Sequence, residues 1–191
     1  MTTIIVDCED QKIYADKQAT VSVTCPVRGE YVMNEATCKK LEHKDGLVFG
    51  GSGSLNVIRE FIDSYPNTET LYHTDHVNAE ILVVKPLEKG VRIYQYEYQL
   101  RKQPLTLKSL FSIGFPWGVV YVPVLVSTWT QTHGIVTSGS GSSSAGILWD
   151  EGNAVQDIYC KLPKYDTGTG CSYDVIDMNV GGGPCLTVKS L

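Results

Sequence analysis

The chain has 191 residues, enough for one ordinary domain with a substantial core, and its 42% hydrophobic and 19% charged residues exclude wholesale disorder. A formal net charge of −5, with no cluster of Lys and Arg, excludes nucleic acid and an anionic membrane as expected partners. No secretory leader is legible, and the longest apolar run, GVVYVPVLV at 118–126, is broken by Pro123 and too short to span a bilayer, so a single cytoplasmic domain, residues 1–191, is expected.

The opening stretch, MTTIIVDCEDQKIYADKQAT, reads as a hairpin: β-branched residues 3–6, a polar turn at 9–11 and a return strand at 12–16. Thr2 directly follows the initiator. Removal of Met1 leaves Thr2 with a free α-amine beside its own β-hydroxyl. An α-amine titrates near ~7.7–8.0 against ~10.4 for a lysine, so much of it is neutral at physiological pH and can take the hydroxyl proton. The bland reading is that many chains start Met-Thr with no catalytic consequence.

Residues 20–27 alternate enough to continue the same sheet, a mixed stretch at 31–41 ends in Lys39-Lys40, and GLVFGG at 46–51 reads as a short strand. Ser52-Gly53-Ser54 then leads into 55–64, where Leu55, Ile58, Phe61 and Ile62 recur at helical spacing, with Ser54 as N-cap and Pro66 as the stop. A glycine at such a junction lets backbone N–H groups approach a ligand, and the helix N-terminus favours developing negative charge. His73 and His76 flank Asp75, but no third ligand has a recognisable metal spacing.

From Glu80 the character is β, with strands expected at 81–84, 91–98, 105–113 and 119–130. The tyrosines of VRIYQYEY read as a half-exposed sheet surface, since nothing basic interleaves them as a base-stacking platform would require. A strand at 135–137 enters Ser138-Gly139-Ser140-Gly141-Ser142, a tight strand-to-helix turn, and one helix is expected from Ser144 through Ile158. The turn lacks the lysine of a P-loop and the spacing of a dinucleotide fingerprint. That helix ends before Pro163. A polar glycine loop, YDTGTGC, precedes a strand at 173–178, and Gly181-Gly182-Gly183-Pro184 precedes a last strand at 185–188. The six cysteines, Cys8, Cys25, Cys38, Cys160, Cys171 and Cys185, show no CxxC spacing and read as small buried or incidental thiols rather than a zinc site or a disulfide framework; no metal or other cofactor is expected.

In this order, Thr-Thr-Ile at the start, Ala-Asp-Lys-Gln-Ala-Thr on the return strand, a lysine before a glycine-ended strand, Ser-Gly-Ser, Gly-Ser-Gly-Ser and Asp-Thr-Gly-Thr-Gly, the chain resembles the N-terminal-nucleophile hydrolases of the proteasome β-subunit and bacterial HslV peptidase group. The likeness covers residues 2–64 and 134–178 and is weak between 65 and 131. It implies an α+β fold, a four-layer αββα sandwich, and a threonine-type peptidase or amidohydrolase needing no cofactor. On matching positions it implies Thr2 as nucleophile, Asp16 as partner of a lysine, Lys40 as that lysine with Lys39 as the neighbouring alternative, and Gly53 as oxyanion donor. Ser140, Asp166 and Thr169 are implied beside the terminal amine. Ser112-Ile113-Gly114 imitates the turn, but bulky Phe115, Pro116 and Trp117 follow it, so 139–142 is preferred.

The resemblance further implies a peptide or amide substrate, a homo-oligomer, an ATPase unfoldase as partner, and a bacterial or phage-infected cell as setting. The family's second helix after the Ser-Gly-Ser junction has no counterpart in the poorly helical 65–78, so one helical layer is expected to be reduced and ring packing altered. Two other readings remain open: a catalytically silent scaffold or binding module, favoured by retention of Met1, and an unrelated β-rich phosphate-binding protein built on 139–142.

Overall fold

The computed structural model describes residues 2–25, 29–102, 119–167, 169–179 and 185–189; for 19–37 and 185–189 the backbone alone is described. The expected strand at 105–113, the Ser112-Ile113-Gly114 turn and the Gly181–Pro184 loop lie outside the described residues, as does Met1.

The opening hairpin forms as expected. β1 (Thr3–Asp7) pairs antiparallel with β2 (Lys12–Asp16), Ile4 opposite Ala15. β3 (Gln18–Cys25) and β4 (Gly29–Thr37) follow, then β5 (Leu41–Lys44), β6 (Leu47–Gly53) and α1 (Leu55–Ser64). β7 (Ala79–Pro86), β8 (Val91–Lys102) and β9 (Val119–Gln131) form a long meander, followed by β10 (Ile135–Gly139), α2 (Ser142–Asp150), α3 (Val155–Lys161), β11 (Tyr173–Asp177) and β12 (Cys185–Lys189). One five-stranded sheet runs β10-β1-β2-β11-β12 and a second runs β5-β6-β7-β8-β9.

Strand alternation explains how these elements stack. On β1 and β2, Ile4, Val6, Ile13 and Ala15 join Val48, Leu82, Val84 and Ile93 of the other sheet in one buried cluster. The intervening Ile5 and Tyr14 face the opposite way and meet Ala145, Leu148, Ile158 and Tyr159 of α2 and α3. In the second sheet Phe49, Ile81 and Val83 turn outward against Val57, Ile58, Phe61 and Ile62 of α1. Both faces of each sheet are therefore covered over much of their area, and each fully buried Ile or Val contributes about 1.5–3 kcal/mol. This is why TIIV reads as an unbroken apolar run.

α1 occupies the expected span, but its N-cap Ser54 makes no side-chain cap; its N–H instead donates to Asn78 O at 3.1 Å. At the other end Lys44 Nζ donates to Ile62 O (2.7 Å) and Asp63 O (2.9 Å), satisfying carbonyls that a helix C-terminus leaves without partners. Residues 65–78 hold one 3₁₀ turn, Thr68–Thr70, and no α-helix.

Two expectations are corrected. β3 does not continue the first sheet; it pairs with β4 as a separate two-stranded ribbon, because Asp16 ends β2 with its side chain turned back onto the chain start and on Gln18 N–H. The helix expected from Ser144 through Ile158 is two helices. Gly152 adopts φ +84, and Asn153 takes Leu148 O with its side-chain amide at 2.6 Å, which closes α2 before α3 begins. Among the described residues no helix is long and apolar enough to cross a membrane.

Candidate functional site

The site grows from the order of strands around β1. β1 lies between β10 and β2, so the ends of both neighbours converge on the start of the chain. Thr2, Thr3, Asp16, Lys40 and Thr169 are all buried there. Five polar residues packed together need partners, since a buried group left without a hydrogen bond costs about 1–3 kcal/mol.

Asp16 supplies the first set. Its Oδ1 accepts Thr3 N–H at 2.7 Å, while its Oδ2 accepts Lys40 Nζ at 2.9 Å and Gln18 N–H at 3.1 Å. One carboxylate thus ties the peptide after Thr2 to a buried ammonium from 24 residues further on. Burial pushes the Asp16 carboxyl above its ordinary value, opposed by the Lys40 charge and by backbone N–H groups of Thr3 and Gly170. Of the two adjacent lysines, Lys40 is the buried one and Lys39 is exposed.

A second set runs through hydroxyls. Ser140 Oγ and Thr169 Oγ1 each donate to Asp166 Oδ2 at 2.8 Å. Because a hydroxyl has one hydrogen and that of Thr169 is committed to Asp166, the 2.6 Å contact between Thr3 Oγ1 and Thr169 Oγ1 is a bond donated by Thr3. Ser140 Oγ also lies 3.4 Å from Thr2 O. The three residues expected beside the terminal amine therefore form one connected network with Thr3.

The glycines of the Ser-Gly-Ser-Gly turn have separate reasons. Gly139 has φ +91, and a Cβ there would sit 2.0 Å from Thr2 O. At Gly141 a Cβ would sit 2.1 Å from Thr3 Oγ1 and 3.1 Å from Asp166 Oδ2, inside the hydroxyl network. Gly53 has φ +101, and its added Cβ would meet Asn78 O at 2.0 Å. A Cβ on Gly139 would also be 3.6 Å from Ser52 Cβ, which brings the end of β6 beside the end of β10. A recess of about 20 Å³ next to Lys40 is walled by Gly51, Leu55, Ile58 and Arg59.

The structure thus gathers Asp16 with Lys40, and Ser140 with Asp166 and Thr169, around Thr2 and Thr3, and sets Gly53 at the adjoining strand end. Sequence reasoning missed Thr3, Gly141 and Tyr159. The Thr-Thr doublet and the regular glycine spacing carried a signal for the first two; Tyr159, whose hydroxyl donates to Thr3 O at 3.0 Å from 156 residues away, carried none. His73 Nε2 lies 3.4 Å from Glu60 Oε2 with its ring against Tyr98, and His76 sits edge-on against Tyr121. Among the described residues no group of three or more His, Cys, Asp or Glu side chains is placed to hold a metal.

The sequence matches no family model and no curated protein. Solved structures do match. The chain is similar to Anbu (ancestral beta-subunit) from Yersinia bercovieri, at 9% identity and a TM-score of 0.54, covering 100% of this chain and 88% of that one. It is similar to the helical assembly of the Anbu complex from Pseudomonas aeruginosa, at 8% identity and 0.54, with the same coverage. It is also similar to Thiobacillus denitrificans BPH in complex with epoxomicin, at 12% identity and 0.50, covering 100% of both chains. At these identities the likeness is one of fold: two five-stranded antiparallel sheets with few helices, the arrangement of these proteasome-like structures.

Proposed function

We propose that this protein is a threonine-type peptidase or amidohydrolase whose nucleophile is Thr2, exposed by removal of Met1, in one domain spanning 1–191 built as a four-layer αββα sandwich with its α1 layer reduced. The observation that carries the reading is the Asp16 carboxylate, which holds Thr3 N–H on one oxygen and buried Lys40 on the other. An isolated structural ion pair has no need to be joined to the residue that follows the proposed nucleophile.

In this reading the neutral Thr2 α-amine takes the Thr2 hydroxyl proton, directly or through water, and Oγ attacks the substrate carbonyl carbon. The Lys40 ammonium favours the alkoxide and disfavours a second positive charge on the amine, while Asp16 keeps Lys40 charged and oriented. Gly53 N–H stabilises the tetrahedral oxyanion, a contribution of about 2.7–4 kcal/mol for one donor. The C–N bond breaks, the leaving amine carries away the proton, and an ester remains at Thr2. Water then attacks that ester and restores the hydroxyl. Ser140, Asp166 and Thr169 hold the amine and the proton-carrying water. No cofactor enters any step.

We place the protein in the cytoplasm of a bacterium or phage-infected cell as a homo-oligomer, with an ATPase unfoldase as partner; the helical assembly of one structural neighbour supports the oligomer. The test combines N-terminal mass analysis with labelling by a peptide epoxyketone or β-lactone. An adduct mapped to a trimmed Thr2, lost in Thr2→Ala, is the expected result. Trimmed and folded protein that takes no label refutes the enzyme and leaves a silent scaffold.

A further inference from the structure

Tyr159 is a titratable side chain, fully buried, for which the chemistry above has no use. It sits on α3, its ring is stacked on Tyr173 at 4.8 Å and 25°, and Tyr14 tilts against both. Such a platform fixes the ring without any polar contact. Yet the hydroxyl leaves the apolar cluster and donates to Thr3 O at 3.0 Å. Burial and the nearby Asp16 charge push Tyr159 ionisation well above that of an ordinary phenol, so the hydroxyl remains a donor throughout the working pH range.

Thr3 is consequently held at each of its polar groups by a side chain: N–H by Asp16, hydroxyl by Thr169 and carbonyl by Tyr159. The peptide between Thr2 and Thr3 is planar and stiff, so fixing Thr3 fixes the direction in which Thr2 leaves it. On its other side Thr2 O is confined by Gly139. Asp16 and Thr169 already belong to the catalytic reading, whereas Tyr159 reaches Thr3 from the helix layer behind the sheet.

We infer that Tyr159 is a positioning residue for the terminal nucleophile, acting through the Thr3 carbonyl to hold Thr2 in its attacking geometry. This rests on Thr2 being the nucleophile. A misplacement of about 1 Å at a reacting group costs on the order of 10²-fold in rate, and loss of one of three anchors is expected to cost about tenfold.

The experiment compares wild type, Tyr159→Phe and Ile158→Val, the last as a packing control on the same helix. Each is assayed well below its melting temperature for β-lactone labelling of Thr2 and for kcat and KM on a small amide substrate that wild type turns over. Supporting results are a labelling rate and kcat about tenfold lower in Tyr159→Phe with KM unchanged, while Ile158→Val keeps its rate despite a comparable fall in melting temperature. Equal labelling of Tyr159→Phe and wild type overturns the inference and leaves the enzyme reading intact. A rate loss in Ile158→Val matching that of Tyr159→Phe also overturns it. Wild type that takes no label overturns both together. If Tyr159→Phe does not fold, 3,5-difluorotyrosine at position 159 preserves the ring and alters the donor; an unchanged labelling rate then overturns the positioning role.

Discussion

The start of β1 in the first sheet and the β8–β9 side of the second make opposite use of burial. Around Thr2, polar groups are buried and tied to one another: Asp16 with Lys40 and Thr3, Asp166 with Ser140 and Thr169. Beyond α1, on the β8–β9 ribbon, apolar groups are left in solvent: Leu100 is 54% exposed, Leu125 48% and Val119 48%. The first region gives up stability to fix a geometry, because desolvating an ion pair is repaid only when every partner is in place. The second leaves these apolar side chains partly in water.

The sharpest way to break this contrast is at Lys40. Lys40→Ala leaves the Asp16 carboxylate buried beside a vacated position, and removing one partner of a buried pair costs about 3–5 kcal/mol. Labelling of Thr2 is expected to fall by a factor on the order of 10³ or more, as when a group acting in concert with a nucleophile is removed. The double variant Asp16→Asn with Lys40→Met separates the two effects. Its melting temperature should return toward that of wild type while labelling stays absent. Recovery of labelling in the double variant would show that the pair is structural.

The glycines give the next largest effect and an internal control. Gly141→Ala drives a Cβ to within 2.1 Å of Thr3 Oγ1, so the hydroxyl network must open. Overpacking of this kind costs about 1–3 kcal/mol. The shift in Thr2 should lower the labelling rate by roughly 10²-fold. Gly146 lies five residues on, inside α2, where a Cβ meets nothing within 4 Å. Gly146→Ala should therefore raise stability by about 0.5–1 kcal/mol with labelling unchanged, as read by denaturant melts.

Acid separates activity from stability at Asp16. Its carboxyl is raised by burial, so the folded protein keeps this proton at a pH where the unfolded chain has lost it. Across the window between the ordinary aspartate value and the raised one, this group's contribution to stability declines as pH rises. Labelling should move the other way, because it needs Asp16 ionised and paired with Lys40. The acid limb of the labelling rate is thus expected above the ordinary aspartate range, while the melting temperature of wild type relative to Asp16→Asn rises on acidification. A fall of both together would mean that Asp16 is not the titrating group.

How much of this was legible depended on the range over which the physics acts. Strand alternation in TIIV and KIYAD, the 3.6-residue pattern of 55–64 and the glycine-marked junctions are local, and they positioned β1, β2, α1 and the 139–142 turn correctly. The division between α2 and α3 was missed because Gly152 and Asn153 were read within an apolar pattern rather than as a helix stop. β3 was assigned to the wrong sheet because pairing partners are set by the whole sheet, not by the strand's own residues. In the site, a Lys-Lys pair alone does not separate Lys40 from Lys39; the resemblance points to Lys40, and Lys40 is the one buried against Asp16. Tyr159 was invisible for the same reason, being joined to Thr3 only through the fold.

The smallest expected effect tests the exposed ribbon. Among the described residues β9 ends the order of its sheet, and on it Leu125, 48% exposed, lies opposite Tyr96 at a register shift between Gln95 and Tyr96. Val126 beside it is 38% exposed. A bulged strand with a charge at its edge resists pairing, whereas this one presents leucine and valine at the irregularity. Leu125→Lys puts a charge where self-association would bury apolar surface, and as a surface change it should move the stability of a single subunit by no more than about 0.5 kcal/mol. Light scattering on size-separated protein should then show a smaller particle for Leu125→Lys than for wild type. Thr2 labelling per chain should be unchanged if the polar corner is complete within one subunit. A loss of labelling along with the particle size would instead mean that the exposed leucines hold a neighbouring copy in place at the site, and the two regions would no longer be independent.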